Sequence, residues 1–134
     1  MENINLKNYQ ENHVEMKPCE VLEIPGFDKS FAPNVEGAKK AFGRYFVEAV
    51  DGGIKLKPGT NVGVIFVEEF GYYDSHCGYT RRYILKVGAE TIVVSHSVHH
   101  YYAGSGLSGK LCKYELVEFE RLQIAACKNC GACK

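Results

Sequence analysis

The chain has 134 residues, 46% hydrophobic and 24% charged, the composition of one globular domain with a core, which excludes a disordered chain. Sixteen Lys and Arg cancel sixteen Asp and Glu; an extended nucleic-acid groove, which needs a basic excess to displace counterions, is not expected. No stretch approaches the roughly 20 apolar residues of a membrane span.

The opening Met1-Glu-Asn-Ile-Asn-Leu-Lys-Asn lacks the apolar run of a secretory signal, so a cytoplasmic setting is expected. The six cysteines are then read as thiols or metal ligands rather than disulfides. Residues 1–16 are polar without a period and read as a flexible arm. A single domain is expected over 17–126 and a cysteine-rich tail over 127–134.

Cys19–Ile24 reads as a short strand stopped by Pro25-Gly26, a turn signal. Pro33-Asn34 then supplies a stop and an N-cap. Val35, Ala38, Ala41, Phe42, Tyr45, Phe46, Ala49 and Val50 recur at three- and four-residue steps, the stripe of one long amphipathic helix. Asp51-Gly52-Gly53 closes it. Ile54-Lys-Leu-Lys reads as a strand and Pro58-Gly59 as a turn.

From Val62 the period shortens. Val62–Tyr73 is apolar on both alternations and reads as a central strand covered on both faces. Tyr79–Val87 and Thr91–Tyr102 follow, the second placing Ile92, Val94, His96, Val98, His100 and Tyr102 on one face. After the glycine-rich Ala103–Lys110 stretch comes a strand from Leu111, whose alternation slips near Leu116-Val117 as at a β-bulge. Short connections make these strands antiparallel neighbours. The expected fold is α+β: a mainly antiparallel sheet of five to six strands, ending in a C-terminal meander, packed against the helix.

A meander alternates its turns between two ends. His76, Cys77, His99, His100, Tyr101, Tyr102 and Cys112 should gather at one end, with Cys77 roughly opposite Tyr101 and Tyr101 roughly opposite Cys112. Cys127, Cys130 and Cys133 belong at the other. His96, on an apolar face, reads as a hydrogen-bonded core residue. His99 and Tyr101, on the more polar face with Ser95 and Ser97, are expected to line an aromatic cleft with Tyr79 and Tyr114, joined by His76 from the neighbouring turn. Arg81 and Arg82 could hold a phosphate or carboxylate there, or simply be solvated. Gly104-Ser-Gly106-Leu-Ser-Gly109-Lys110 lacks the spacing and following helix of a nucleotide loop; it reads as a flap over the His/Tyr end.

In the tail, Cys127-Lys-Asn-Cys130-Gly-Ala-Cys133 resembles half of a zinc knuckle, in which a tight turn points two thiolates at one ion. Its triple spacing also resembles part of a bacterial ferredoxin cluster motif. Either resemblance implies metal binding by Cys127, Cys130 and Cys133, zinc being the expected ion and Cys19, His13 or solvent the fourth ligand. Reduced thiols or a redox disulfide are the alternatives.

Three functions follow. The first is a binding module recognising a protein partner or small anionic ligand through His76, Tyr79, Arg81, His99, Tyr101 and Tyr114. The second is a metal-independent phosphoesterase or ribonuclease-like enzyme, using His99 or His76 as base and Arg81 or Lys110 to stabilise charge. The third is a redox or metal-handling protein relying on the tail. Homo-oligomerisation through an open sheet edge is also allowed. The binding module is preferred, because no complete catalytic pattern occurs.

Overall fold

The computed structural model describes residues 3–6, 14–73, 77–103 and 110–122. It is an α+β fold of two sheets and one helix. The elements run β1 (Asn3–Asn5), β2 (Val14–Pro18), β3 (Val21–Glu23), α1 (Ala32–Phe42), β4 (Phe46–Val50), β5 (Gly53–Leu56), β6 (Asn61–Tyr73), β7 (Cys77–Val87), β8 (Glu90–Ala103) and β9 (Lys110–Leu122). A four-stranded sheet has the order β1-β3-β5-β4, and a five-stranded sheet the order β2-β6-β7-β8-β9. All pairings are antiparallel except β1 with β3. No described helix is long and apolar enough to cross a membrane.

The helix is shorter than its stripe suggested. It opens at Ala32, with Phe31 in the N-cap position and no side-chain cap. Pro33 fits within the first turn, where no backbone donor is needed, so the helix begins before the proline and Asn34 becomes an interior residue. Gly43 ends it at φ +54°, a left-handed conformation that a side chain would resist. A single 3₁₀ turn, Gly43–Tyr45, leads into β4. Tyr45, Phe46, Ala49 and Val50 mimic helical spacing, but Tyr45 closes the 3₁₀ turn and the other three lie in a strand: Phe46 is opposite Leu56 and Val50 opposite Gly53. Tyr45 is fixed from two sides. The Lys57 amide donates to its carbonyl at 3.0 Å and the Ala89 amide to its hydroxyl at 3.1 Å.

Three other expectations change. Part of the stretch read as a loose arm is built into the sheets, since β1 pairs with β3 and β2 with β6. Ile4 and Leu6 are fully buried; isolated apolar residues suffice where a single strand face needs filling. The bulge expected in β9 is absent, the β8–β9 register running unbroken from Thr91↔Leu122 to Ala103↔Lys110. The shift lies in β6, between Val64 and Phe66. Nor is β6 covered on both faces throughout, because Ile65, Phe66 and Phe70 are exposed.

Register divides the five-stranded sheet into two faces, directly paired residues sharing a side. The inner face carries Val62, Val64, Tyr83, Leu85, Val87, Ile92, Val94 and Val117. These close one core with Leu22, Ile24, Ile54 and Leu56 of the smaller sheet and its flanks, and with Ala38, Ala41 and Phe42 of α1. The helix docks on β9. Phe42 meets the Phe119 ring edge-on at 5.9 Å, and Arg121 Nε donates to the Ala41 carbonyl at 3.0 Å, satisfying one acceptor the helix end leaves free.

Candidate functional site

The apolar core stops, along the inner face, at Arg81 and His96, which are directly opposed on β7 and β8. His96 is 6% exposed, and its Nε2 donates to Glu115 Oε2 at 3.0 Å. The expectation of a hydrogen-bonded core histidine holds, and β9 supplies the partner. Tyr79 meets the imidazole edge-on at 6.3 Å.

The turn after β3 lies across this ring. A Cβ on Gly26 would sit 2.6 Å from His96 Cδ2 and 2.7 Å from Nε2, and Gly26 has φ +76°. Only glycine meets both demands, a left-handed backbone and direct seating on a ring. Pro25, Gly26, Tyr79, Arg81, Tyr83, His96 and Glu115 enclose a cleft of about 260 Å³.

Arg81 is the cleft's fixed cation. Its Nη2 donates to Glu69 Oε1 at 3.1 Å, with the Arg81 side chain 19% and Glu69 48% exposed. Burial works against the Arg81 charge, but bonds to Glu69 and Tyr83 more than offset it and hold the group above the usual arginine value. Tyr83, on the same face, is pushed up mainly by burial, with Arg81 opposing. It stays a neutral phenol. Arg81 Nε is buried and makes no hydrogen bond, though a guanidinium offers five donors in a rigid fork.

A second cleft, of about 550 Å³, adjoins the first; it is lined by Gly26, Phe27, Asp28, Lys29, Phe31, Asn34, Asp51, Gly52 and Glu115. Asp28 Oδ1 accepts from the Ser30 hydroxyl at 2.8 Å and the Ser30 amide at 2.9 Å. The hydroxyl bond, then the amide bond, holds its carboxyl below the usual range. Lys29 lies 3.8 Å from Asp51. Asn34 is 5% exposed, and its Oδ1 is buried without a partner. A buried acceptor left unpaired costs about 1–3 kcal/mol. Both buried side-chain nitrogen or oxygen atoms that lack a partner among the described residues therefore belong to lining residues of these adjoining clefts.

The residues expected to form one aromatic site are divided between faces. Tyr79 and Arg81 are on the inner face, paired with Val98 and His96. His99 and Tyr114 are directly opposed on the outer face, their rings stacked 4.9 Å apart and inclined by 21°. Arg82 is also outside, 3.6 Å from Glu68. The physical reason is the strand period of two, which sends odd and even positions of β7 to opposite sides. An enzyme using His99 as base with Arg81 as charge stabiliser would need groups from both sides of one sheet. Tyr101 pairs with Cys112 as expected, but Cys77 lies opposite His100, one residue from the anticipated Tyr101.

His13, His76, Cys127, Cys130 and Cys133, and the glycine-rich stretch over 104–109, lie outside the described residues. Cys19, a candidate fourth ligand, is 3% exposed and donates its thiol to the Val21 carbonyl at 3.3 Å. Among the described residues no group of three or more His, Cys, Asp or Glu is placed to hold a metal ion.

Sequence reasoning did not select Gly26, Asn34, Tyr83 or Glu115 for a site. Glu115 becomes visible only through the β8–β9 register, and Gly26 through the tertiary packing of what reads as an ordinary turn. Comparison with protein-family models, curated proteins and solved structures gives no match.

Proposed function

We propose that this domain is a binding module for a small ligand carrying an anionic group, taken up in the inner cleft between the Gly26 turn and Arg81. One observation carries the reading: Arg81, charged and lining a cleft, has a buried Nε–H with no acceptor. Buried polar groups in folded proteins are nearly always bonded, and exceptions point to ligands, ions or water. A carboxylate or phosphate entering the cleft would meet the Arg81 guanidinium, whose planar fork of donors favours paired bonds to such groups. Glu69 competes for Nη2, but it is half exposed, and exposed ion pairs hold weakly, at about 0–1 kcal/mol. The neighbouring Tyr79 and Tyr83 phenols could add hydrogen bonds. Of the two partner classes expected from sequence, this cleft supports the small anion.

Calorimetric titration of acetate and inorganic phosphate, run separately at low salt, tests the reading. Saturable binding of at least one anion, weakened about tenfold by Arg81→Met, is expected. Arg81→Lys should recover only part of the loss, since an ammonium keeps the charge without the fork. Equal binding by the wild type and Arg81→Met would end it.

For the tail, zinc binding by Cys127, Cys130 and Cys133 remains a proposal resting on thiolate spacing. Protein purified under reducing conditions should carry about one zinc ion per chain, lost in Cys130→Ser. Metal-free wild-type protein would refute it.

A further inference from the structure

We infer that the outer face of the five-stranded sheet is the interface of a reversible, two-fold symmetric dimer of this chain. The inference is independent of the Arg81 reading, which concerns the other face. Among the described residues nine large apolar side chains are exposed. Five of them, Phe66, Phe70, Tyr114, Leu116 and Leu122, lie on this one face. Ile84 and Val93, in register with Phe66, are already buried there. Single apolar residues on a surface need no explanation, but their concentration on one sheet face leaves a layer without a partner.

Area identifies what can cover it. Strands β6 to β9 hold 11 to 14 residues each. At about 3.4 Å per residue and about 4.8 Å between strands, the face measures about 700 Å². Two such faces together bury about 1,400 Å², within the range of stable specific interfaces. A second copy brings a face of the same length, width and twist, and sheets stack face to face when those match.

The charges choose the symmetry. With a two-fold axis running across the strands, one row of residues meets itself and the flanking rows exchange. Glu68, Arg82, Ser95 and Glu118 form one row, and on the axis each charge would face its own copy. The row of Phe66, Ile84, Val93 and Glu120 fails in the same way at Glu120. Phe70, Thr80, Ser97 and Leu116 form the row that fits. Its ends are apolar, and its hydroxyls bond each other at 2.9 Å, which lowers the cost of drying them. Glu118 of one copy then faces Tyr114 of the other, and Arg82 faces Gly78, where no side chain competes for space. Arg82, Glu68 and Glu118 keep the face too polar for an obligate dimer, so the dilute chain leaves it in water.

Sedimentation equilibrium of the full chain from about 1 μM to about 1 mM tests the inference. The mass should double across that range. Leu116→Glu and Phe70→Glu should each raise the dissociation constant at least about tenfold, since each sets two carboxylates against one another at the axis. Val47→Glu, equally exposed but on the smaller sheet, should leave it unchanged. A second measurement needs no variant: NMR contacts between labelled and unlabelled copies should join Leu116 to Leu116 and Glu118 to Tyr114. A monomer at every concentration, a dimer indifferent to both outer-face glutamates, or contacts between copies running along the β9 edge instead would each overturn the inference.

Discussion

The two faces of the five-stranded sheet are written in the same alternating code but meet different surroundings. On the inner face Tyr83, Leu85, Val87, Ile92, Val94 and Val117 are almost wholly buried. Its polar residues are embedded beside them: His96 bonded to Glu115, and Arg81 to Glu69. On the outer face Phe66, Phe70, Tyr114 and Leu116 are exposed, and polar groups satisfy one another locally, as in the 2.9 Å hydroxyl pair of Thr80 and Ser97. A polar side chain among core residues has few chances to find a partner, so an unmet one is informative. Among exposed aromatics and ion pairs the same side chain would simply face water. That asymmetry moves the candidate site from the Tyr/His-rich outer face to the inner one.

The largest contrast should appear in stability. Leu85→Ala, at a fully buried inner position, should cost about 2–5 kcal/mol in denaturant unfolding, since transfer and cavity terms add. Leu116→Ala, 37% exposed on the outer face, should cost less than about 1 kcal/mol. Similar losses would mean that the outer face around Leu116, and not only at the buried Ile84 and Val93, is also core.

Next in size is the seat of the histidine. Gly26→Ala should destabilise by about 1–3 kcal/mol, combining an unfavourable φ with the collision on His96. Adding His96→Ala should relieve only the collision, so the two changes should be non-additive. Strict additivity would show that turn and ring do not touch. Smaller still, Asn34→Ala should be neutral or stabilising by up to about 1 kcal/mol, because it removes an unpaired acceptor and favours the helix. A loss above about 1 kcal/mol would reveal a partner for Oδ1.

The subtlest contrast is between two tyrosines. Tyr83 should ionise above the ordinary tyrosine value because it is buried. Tyr45 should ionise below it, chiefly through the Ala89 amide bond and then Arg44. Phenolate absorbance in Tyr83→Phe and Tyr45→Phe separates them. Linkage gives the sign. With its folded pKa raised, the contribution of Tyr83 is full below the ordinary value and lost as pH rises through the folded one; Tyr45, lowered, contributes in the opposite direction. The reverse order of ionisation would place Tyr83 in water.

Much of this architecture is readable in the residues. The meander β6–β9 follows from its alternation and short turns, and the burial of His96 from its apolar companions at Ile92, Val94 and Val98. Other features depend on information a local pattern does not carry. Phe46, Ala49 and Val50 fit both a helical stripe and a strand, and Gly43 decides between them through a backbone angle. Tyr79 and His99 look like neighbours in a list of aromatics, yet one step of register puts them on opposite sides of the sheet. Asn34 looked like a helix cap because Pro33 precedes it, whereas the helix starts before both. Contacts such as His96 with Glu115 and Gly26 with His96 exist only after distant segments have docked.

The central claim is that anion recognition belongs to the inner face. Mapping backbone amide shifts during an acetate titration, in the wild type and in Arg81→Met, tests it directly. Shifts should cluster at Gly26, Arg81 and His96 and vanish in the variant. Shifts centred instead on His99 and Tyr114, or unchanged by the loss of the guanidinium, would contradict it.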